Sequence, residues 1–213
     1  MKIVCISDTH GMEDQLQMPP GDLLIHAGDI TNKGEISQLA KFNDWLRQQD
    51  YEKIVVIPGN HDRSIPKDKR ASEILTHCDF LIDSSTSFRG LKIYGSPWTP
   101  WFGGHYWVYN RKRGPSINDA WVKIPNDTDI LVTHGPPYGI LDRVSRTIEG
   151  QGCKDLLRHV RRVKPKLHVF GHLHDNHGQK FLHGSNILFV NATSCNEAYE
   201  PINPPIVVEL DQP

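Results

Sequence analysis

The chain has 213 residues, 38% of them hydrophobic and 23% charged, which excludes a disordered polyelectrolyte and suits a soluble globular domain with its own core. A formal net charge of -1 leaves no global basic field to draw in nucleic acid. Cys5, Cys78, Cys153 and Cys195 form no CxxC pair, so a thiolate zinc site or a disulfide framework is not expected.

Short β-branched runs in chain order predict strands over Lys2–Ser7, Asp22–Ala27, Lys53–Ile57, Phe80–Asp83, Leu91–Tyr94, Asp129–Thr133, Leu167–Phe170, Ile187–Asn191 and Pro205–Leu210. A helix is predicted from about Gly34 to Gln49, where Ile36, Leu39, Phe42, Trp45 and Leu46 recur at helical spacing. A second is predicted over Gln151–Val163, with Cys153, Leu156, Leu157 and Val160 inward. Strands outnumber helices and helices separate some of them, which points to a layered α/β sandwich. The first residues hold too few apolar side chains before Asp8 for a leader or a membrane span. A cytoplasmic protein with no membrane partner is expected. One domain over 1–213 is expected, with an aromatic-rich loop inserted at about 96–115.

Polar residues gather where the apolar runs stop. Asp8-Thr9-His10 follows the first run, Gly28-Asp29 the second and Gly59-Asn60-His61-Asp62 the third. His134-Gly135 follows Asp129–Thr133, and Gly171-His172-Leu173-His174 follows Leu167–Phe170. Ligands of open α/β sheets bind beyond the carboxyl ends of strands, so these donors converge if the strand ends lie together. In an extended chain, positions i and i+2 face one side, so Asp8 with His10 and His172 with His174 could each grip one site. Two carboxylates, one amide and four imidazoles disfavour magnesium or calcium alone and suit manganese, iron, zinc, cobalt or nickel. Seven donors exceed one tetrahedral zinc and suit two ions sharing a carboxylate.

The motifs DTH at 8–10, GD at 28–29, GNHD at 59–62, THG at 133–135 and GHLH at 171–174 resemble, in their usual order, the signature of the calcineurin-like metallophosphoesterases. CISDTHG, IHAGD, GSPWTPWF and THGPP are similar to the metallophosphoesterase-domain-containing branch, relatives of the class III cyclic-nucleotide phosphodiesterases. The resemblance implies a four-layer α/β/β/α sandwich of two mixed sheets flanked by helices. It also implies two divalent transition-metal ions, manganese first among them. Asp8, His10 and His174 would hold one ion and Asn60, His134 and His172 the other, with Asp29 bridging. Some members of the branch lack the second histidine of GHxH, which is here His174.

The implied activity is metal-dependent hydrolysis of a small phosphodiester, a cyclic nucleotide or an aryl diester, by a metal-bridging hydroxide. The alternatives are a phosphomonoesterase and a nucleotide-binding scaffold with little catalysis. His61 is too close in sequence to Asn60 to bind the same ion in the same way, and is placed to assist the leaving group; Asp62 is expected to accept a hydrogen bond from its ring. Asn32, Trp98, Trp101, His105 and Arg111 are candidate substrate contacts. The competing reading of the 96–115 loop is a local aromatic core with a solvated basic tip. His26 and His168 are expected in the core. His77, His159, His177 and His183 show no partner pattern.

Overall fold

A computed structural model describes residues 1–211 except 69, 70, 72, 146, 148 and 183. His183 therefore lies outside the described residues. The architecture is mixed α/β, built on two large mixed sheets. The first sheet holds β1 (Lys2–Ile6), β2 (Leu23–His26), β3 (Lys53–Val56), β4 (Asp79–Phe80) and β13 (Ile206–Glu209), in the order β13-β1-β2-β3-β4. The second holds β5 (Ser84–Phe88), β6 (Leu91–Ser96), β9 (Ile130–Thr133), β10 (Leu167–Phe170), β11 (Gly178–Phe181) and β12 (Leu188–Asn191), in the order β11-β12-β10-β9-β6-β5. A small ribbon pairs β7 (Thr99–Pro100) with β8 (Asn110–Arg111).

The central strands are buried on both faces, which is why their sequences are apolar throughout rather than alternating. Ile3, Cys5, Ile25 and Val55 of the first sheet meet Ile93, Val132, Val169 and Val190 of the second in one core between the sheets. The alternate residues Val4, Ile6, Leu24 and Val56 face outward under α1 (Ile36–Leu46), which buries Leu39, Phe42 and Leu46 at spacings of three and four. Burial of one side chain the size of Phe42 contributes about 1.5–3 kcal/mol. Ile36, expected to face inward, is 41% exposed, because the helix begins there and only its later turns reach the sheet. On the opposite outer face, α2 (Pro115–Trp121) and α3 (Lys154–Val163) cover Leu131, Phe170 and Phe189. Helices thus flank both sheets, giving four layers.

Within each sheet the central strands run parallel: β1, β2, β3 and β4 in one, β6, β9, β10 and β12 in the other. The sheets touch where Ser7, just past β1, forms a parallel bridge with Thr193, just past β12. Ser194 donates its backbone N–H to Ser7 O at 2.7 Å there. The carboxyl ends of both sets of parallel strands therefore open onto one rim. No helix among the described residues is long and apolar enough to cross a membrane.

Candidate metal centre

Each polar motif turns sharply at that rim. Asp8, His10, Asp29 and His172 have positive φ values of 53°, 50°, 55° and 70°. A left-handed backbone costs a non-glycine residue roughly 1–2 kcal/mol, so four such residues at one rim must be held there by their surroundings. The holding bonds are Asp8 N–H to Gly28 O at 2.8 Å and His10 N–H to Asp29 O at 3.1 Å. His172 N–H donates to Asp8 Oδ1 and Oδ2 at 3.1 and 3.0 Å. Two motif glycines are required by close approach. A Cβ on Gly59 would overlap Asp29 Oδ1, and one on Gly171 would overlap Asp8 Oδ2. Asp8 and His10 share one set, as expected, but the pair His172 and His174 diverges from the expectation of an extended strand. His172 groups with Asp29 and His134, whereas His174 groups with Asp8 and His10, because the turn at His172 sends the two rings apart.

The seven donors come together in two sets, all buried except the half-buried His172 and His174. In the first, His174 Nε2 lies 3.4 Å from His10 Nε2 and 3.5 Å from Asp8 Oδ1. In the second, His134 Nε2 lies 2.9 Å from Asn60 Oδ1 and 3.3 Å from Asp29 Oδ2, and its ring is 5.0 Å from that of His172. Asp29 belongs to both neighbourhoods, since it also clusters with His10 and His61.

The ring tautomers follow from the backbone. His10 Nδ1 faces Thr31 O at 3.3 Å, His134 Nδ1 faces Ala27 O at 2.9 Å and His174 Nδ1 faces Asn196 O at 2.9 Å. A carbonyl can only accept, so each Nδ1 carries the proton and each Nε2 lone pair points into the centre. Acceptor then faces acceptor at 3.4 Å between the two rings of the first set and at 2.9 Å between His134 and Asn60. A proton or a cation between them satisfies such contacts, and the proton that Asp29 favours on His134 serves the second.

The charge balance of the site agrees with this. Burial alone would raise the Asp8 carboxyl, but His174, His134 and His10 hold it well below the usual range. Asp29 is likewise depressed, burial being outweighed by His134. Burial lowers His134, yet Asp29 outweighs this and lifts it to about 9. Burial pushes His10 down to about 4 and His172 to about 3. Buried carboxylates among oriented imidazoles fit divalent transition ions.

The family model described as calcineurin-like phosphoesterase matches residues 1–176. This chain belongs to the calcineurin-like phosphoesterases. It is 42% identical to metallophosphoesterase domain-containing protein 1 of Homo sapiens over 237 aligned residues, covering 100% of this chain and 72% of that protein. Two solved structures share the fold. Protein TT1561 of Thermus thermophilus has a TM-score of 0.66 at 16% identity, over 89% of this chain and 88% of that one. Phosphopantetheinyl hydrolase of Mycobacterium tuberculosis has a TM-score of 0.64 at 15% identity, over 99% and 96%. The protein is a metal-dependent phosphoester hydrolase, and the donors above are residues that could hold the divalent ions its family uses.

The phosphoesterase centre opens into a cavity of about 430 Å³. His61 stands in its wall with Nδ1 2.6 Å from Asn32 O, so that carbonyl, not Asp62, orients the ring. Asp62 instead accepts from Ile30 N, Thr31 N, Thr31 Oγ1 and Gly59 N at 2.8–3.2 Å. Its role is to tie the loop after Asp29 to the loop before Asn60. Asn32 contributes its backbone oxygen to the site by holding the His61 ring.

The aromatic wall also differs from expectation. Phe102, Trp107 and Tyr199 line the cavity; Trp98, Trp101, His105 and Arg111 do not. Trp98 is part of a local core, with its indole N–H on the Asp83 carboxylate and the Arg111 guanidinium 4.1 Å above its ring. Arg111 also donates to Ser116 O at 3.0 Å. His105 is exposed at the loop tip. Trp107 packs 4.4 Å from His61, and Phe102 5.0 Å from His172, between ring centres.

Tyr199 is a site residue that sequence reasoning missed. Its ring lies 4.8 Å from His10, and its hydroxyl lies 3.5 Å from His61 Nε2. It lies eight residues past the Ile187–Asn191 run, beyond the one to four residues within which the other donors fall, so inspection of the residues just past an apolar strand did not reach it. His26 also does more than fill the core: its Nε2 faces Thr9 Oγ1 at 3.0 Å and its Nδ1 accepts from Gly28 N at 3.2 Å, bracing both turns that carry Asp8 and Asp29.

Proposed function

We propose that this phosphoesterase is a phosphodiesterase acting on small-molecule phosphodiesters with two divalent ions, manganese foremost. The observation that carries the reading is the wall of Phe102, Trp107 and Tyr199 rising directly beside the two donor sets. A diester presents a second organic group next to phosphorus, and aromatic faces give that group somewhere to lie. Asp175 and Glu197 at the same cavity repel the second negative charge of a monoester more than the single charge of a diester.

Asp8, His10 and His174 would hold one ion, Asn60, His134 and His172 the other, and Asp29 would serve both. Such ions, when bound, supply Lewis-acid charge to phosphoryl oxygens and bring the pKa of a water towards neutrality. The chain's own residues do the rest. The carbonyls of Thr31, Ala27 and Asn196 keep three Nε2 lone pairs aimed inward. Asn60 adds an oxygen without charge, which limits the negative charge facing an anionic substrate. His61, fixed through Nδ1 by Asn32 O, presents Nε2 to the cavity and delivers a proton to the departing oxygen. The aromatic wall excludes water from the side on which the leaving group sits.

The test is turnover of bis-p-nitrophenyl phosphate and p-nitrophenyl phosphate by manganese-loaded protein, with bound metal measured on the same sample. The expected result is two equivalents of metal and a clear preference for the diester. Preference for the monoester would replace this reading with a phosphomonoesterase, and two bound metals with no turnover of either would replace it with a binding protein.

A further inference from the structure

A second cleft, also of about 430 Å³, adjoins the metal centre and shares Phe102, His172 and Leu173 with it. Phe102 lines both, with its ring 5.0 Å from His172 and 6.1 Å from Trp107. The second cleft is also lined by Trp101, Pro136 and Arg113. The indole of Trp101 leaves 50% of that residue exposed, while its backbone is pinned by Trp101 N–H to Arg111 O at 2.7 Å. Arg113 is held at two points. Its Nη1 donates to Gly152 O and its Nη2 to Gln151 O, each at 2.8 Å. Both acceptors are neutral carbonyls, so the guanidinium is held in place while its positive charge stays unneutralised by them. A positioned cation and an accessible flat ring, beside the reacting centre, form a recognition element for a ring that carries negative charge.

We propose that this cleft is a substrate-specificity subsite, and that the preferred substrate is an extended phosphodiester. One ester group of that substrate carries a planar ring, which lies on Trp101, and a further anionic group, which meets Arg113. The proposal rests on the phosphodiesterase reading and sharpens it, since a compact cyclic nucleotide has no second anion to reach Arg113. It also relocates the role of Trp101 from the metal cavity to the neighbouring cleft.

Two chromogenic diesters test it: the p-nitrophenyl ester of thymidine 5′-phosphate and the same ester bearing an added 3′-phosphate. With manganese-loaded protein at low salt, the added phosphate is expected to lower KM about tenfold, with the gain shrinking as salt screens the charge. Arg113→Gln is expected to bring the ratio between the two esters to about one, and Arg113→Lys, which keeps the charge, to retain part of it. Trp101→Ala is expected to raise KM for both esters by about tenfold, as loss of base stacking does. Thymidine 3′,5′-bisphosphate should also quench tryptophan fluorescence in the wild type at lower concentration than in Arg113→Gln, a readout that needs no turnover. Equal KM for the two esters, or a ratio that survives Arg113→Gln, overturns the subsite. Failure to release nitrophenolate from either ester, with quenching intact, overturns the phosphodiesterase reading and leaves the cleft as an anion-binding site.

Discussion

The Nε2 atoms of His10 and His174 face each other at 3.4 Å, and both rings have committed their Nδ1 protons to backbone carbonyls. Two lone pairs at that distance repel unless something positive lies between them. Metal binding should therefore add stability to the whole fold. At a free ion concentration 100-fold above Kd, a ligand that binds only the native state contributes about 2.7 kcal/mol. For a chain of this size that corresponds to a rise in Tm of about 5–11 °C. Calorimetry of chelator-stripped protein with and without manganese measures it. An unchanged Tm alongside measured binding would mean that the unfolded chain takes up the ion as well as the folded one does, and that the folded arrangement of these rings adds nothing.

Protons take the place of cations when metal is absent, and this gives metal uptake a defined pH dependence. Asp29 raises His134 to about 9, against burial that lowers it. The raised value means that the proton on His134 stabilises the metal-free fold fully below the unfolded value of about 6.5, a contribution lost as pH rises through about 9. An ion entering the second set must displace that proton. Its apparent affinity should rise about tenfold per pH unit below about 9 for each proton released, then level off. Titration calorimetry in two buffers of different ionisation enthalpy counts the protons. Affinity that is flat between pH 7 and 8.5 would show that His134 is already neutral in the metal-free protein.

His61 sits beside the donors without completing either set, 3.9 Å from Asp29 Oδ2 through its Nε2. His61→Ala should keep its bound metal and lose activity by about 10²–10⁴-fold on a diester with a poor alkoxide leaving group. The loss should be smaller on a p-nitrophenyl diester, whose leaving group departs without a proton. Metal analysis and the two rates on one preparation decide it. An equal loss on both substrates would place His61 in phosphate binding rather than proton delivery.

The candidate metal donors are legible because each lies in a short motif directly after an apolar run, and such runs become strands whose ends are fixed by topology. The elements missed have the opposite character. β5 reads Ser-Ser-Thr-Ser-Phe and β11 reads Gly-Gln-Lys-Phe, polar sequences that pair only because an edge of the second sheet is open to them. α2 begins on Pro115, at the boundary of what read as a loop. The aromatic wall of the cavity was legible only as an aromatic-rich segment. Which of its rings faces the centre depends on the β7–β8 ribbon and on Val108 N–H reaching Asn60 O at 3.3 Å, contacts between residues far apart in the chain. Asp62 misled for the reverse reason: adjacency to His61 suggested a partnership, but consecutive residues at a turn point apart.

That correction yields a separable outcome for Asp62. Its carboxylate accepts from two backbone N–H groups and one hydroxyl of residues 30 and 31 and from Gly59 N, all buried. Asp62→Asn turns one acceptor oxygen into a donor facing donors, which costs about 1–3 kcal/mol for the group left unmatched. Tm should fall by several degrees and metal affinity should drop, because the loops carrying Asp29 and Asn60 lose their tie. The shape of the pH–rate profile of fully metal-loaded variant should stay as in the wild type, since the ring of His61 is held by Asn32 O. A profile displaced in the manner of a His61 variant, with Tm intact, would instead put Asp62 in the path of the proton.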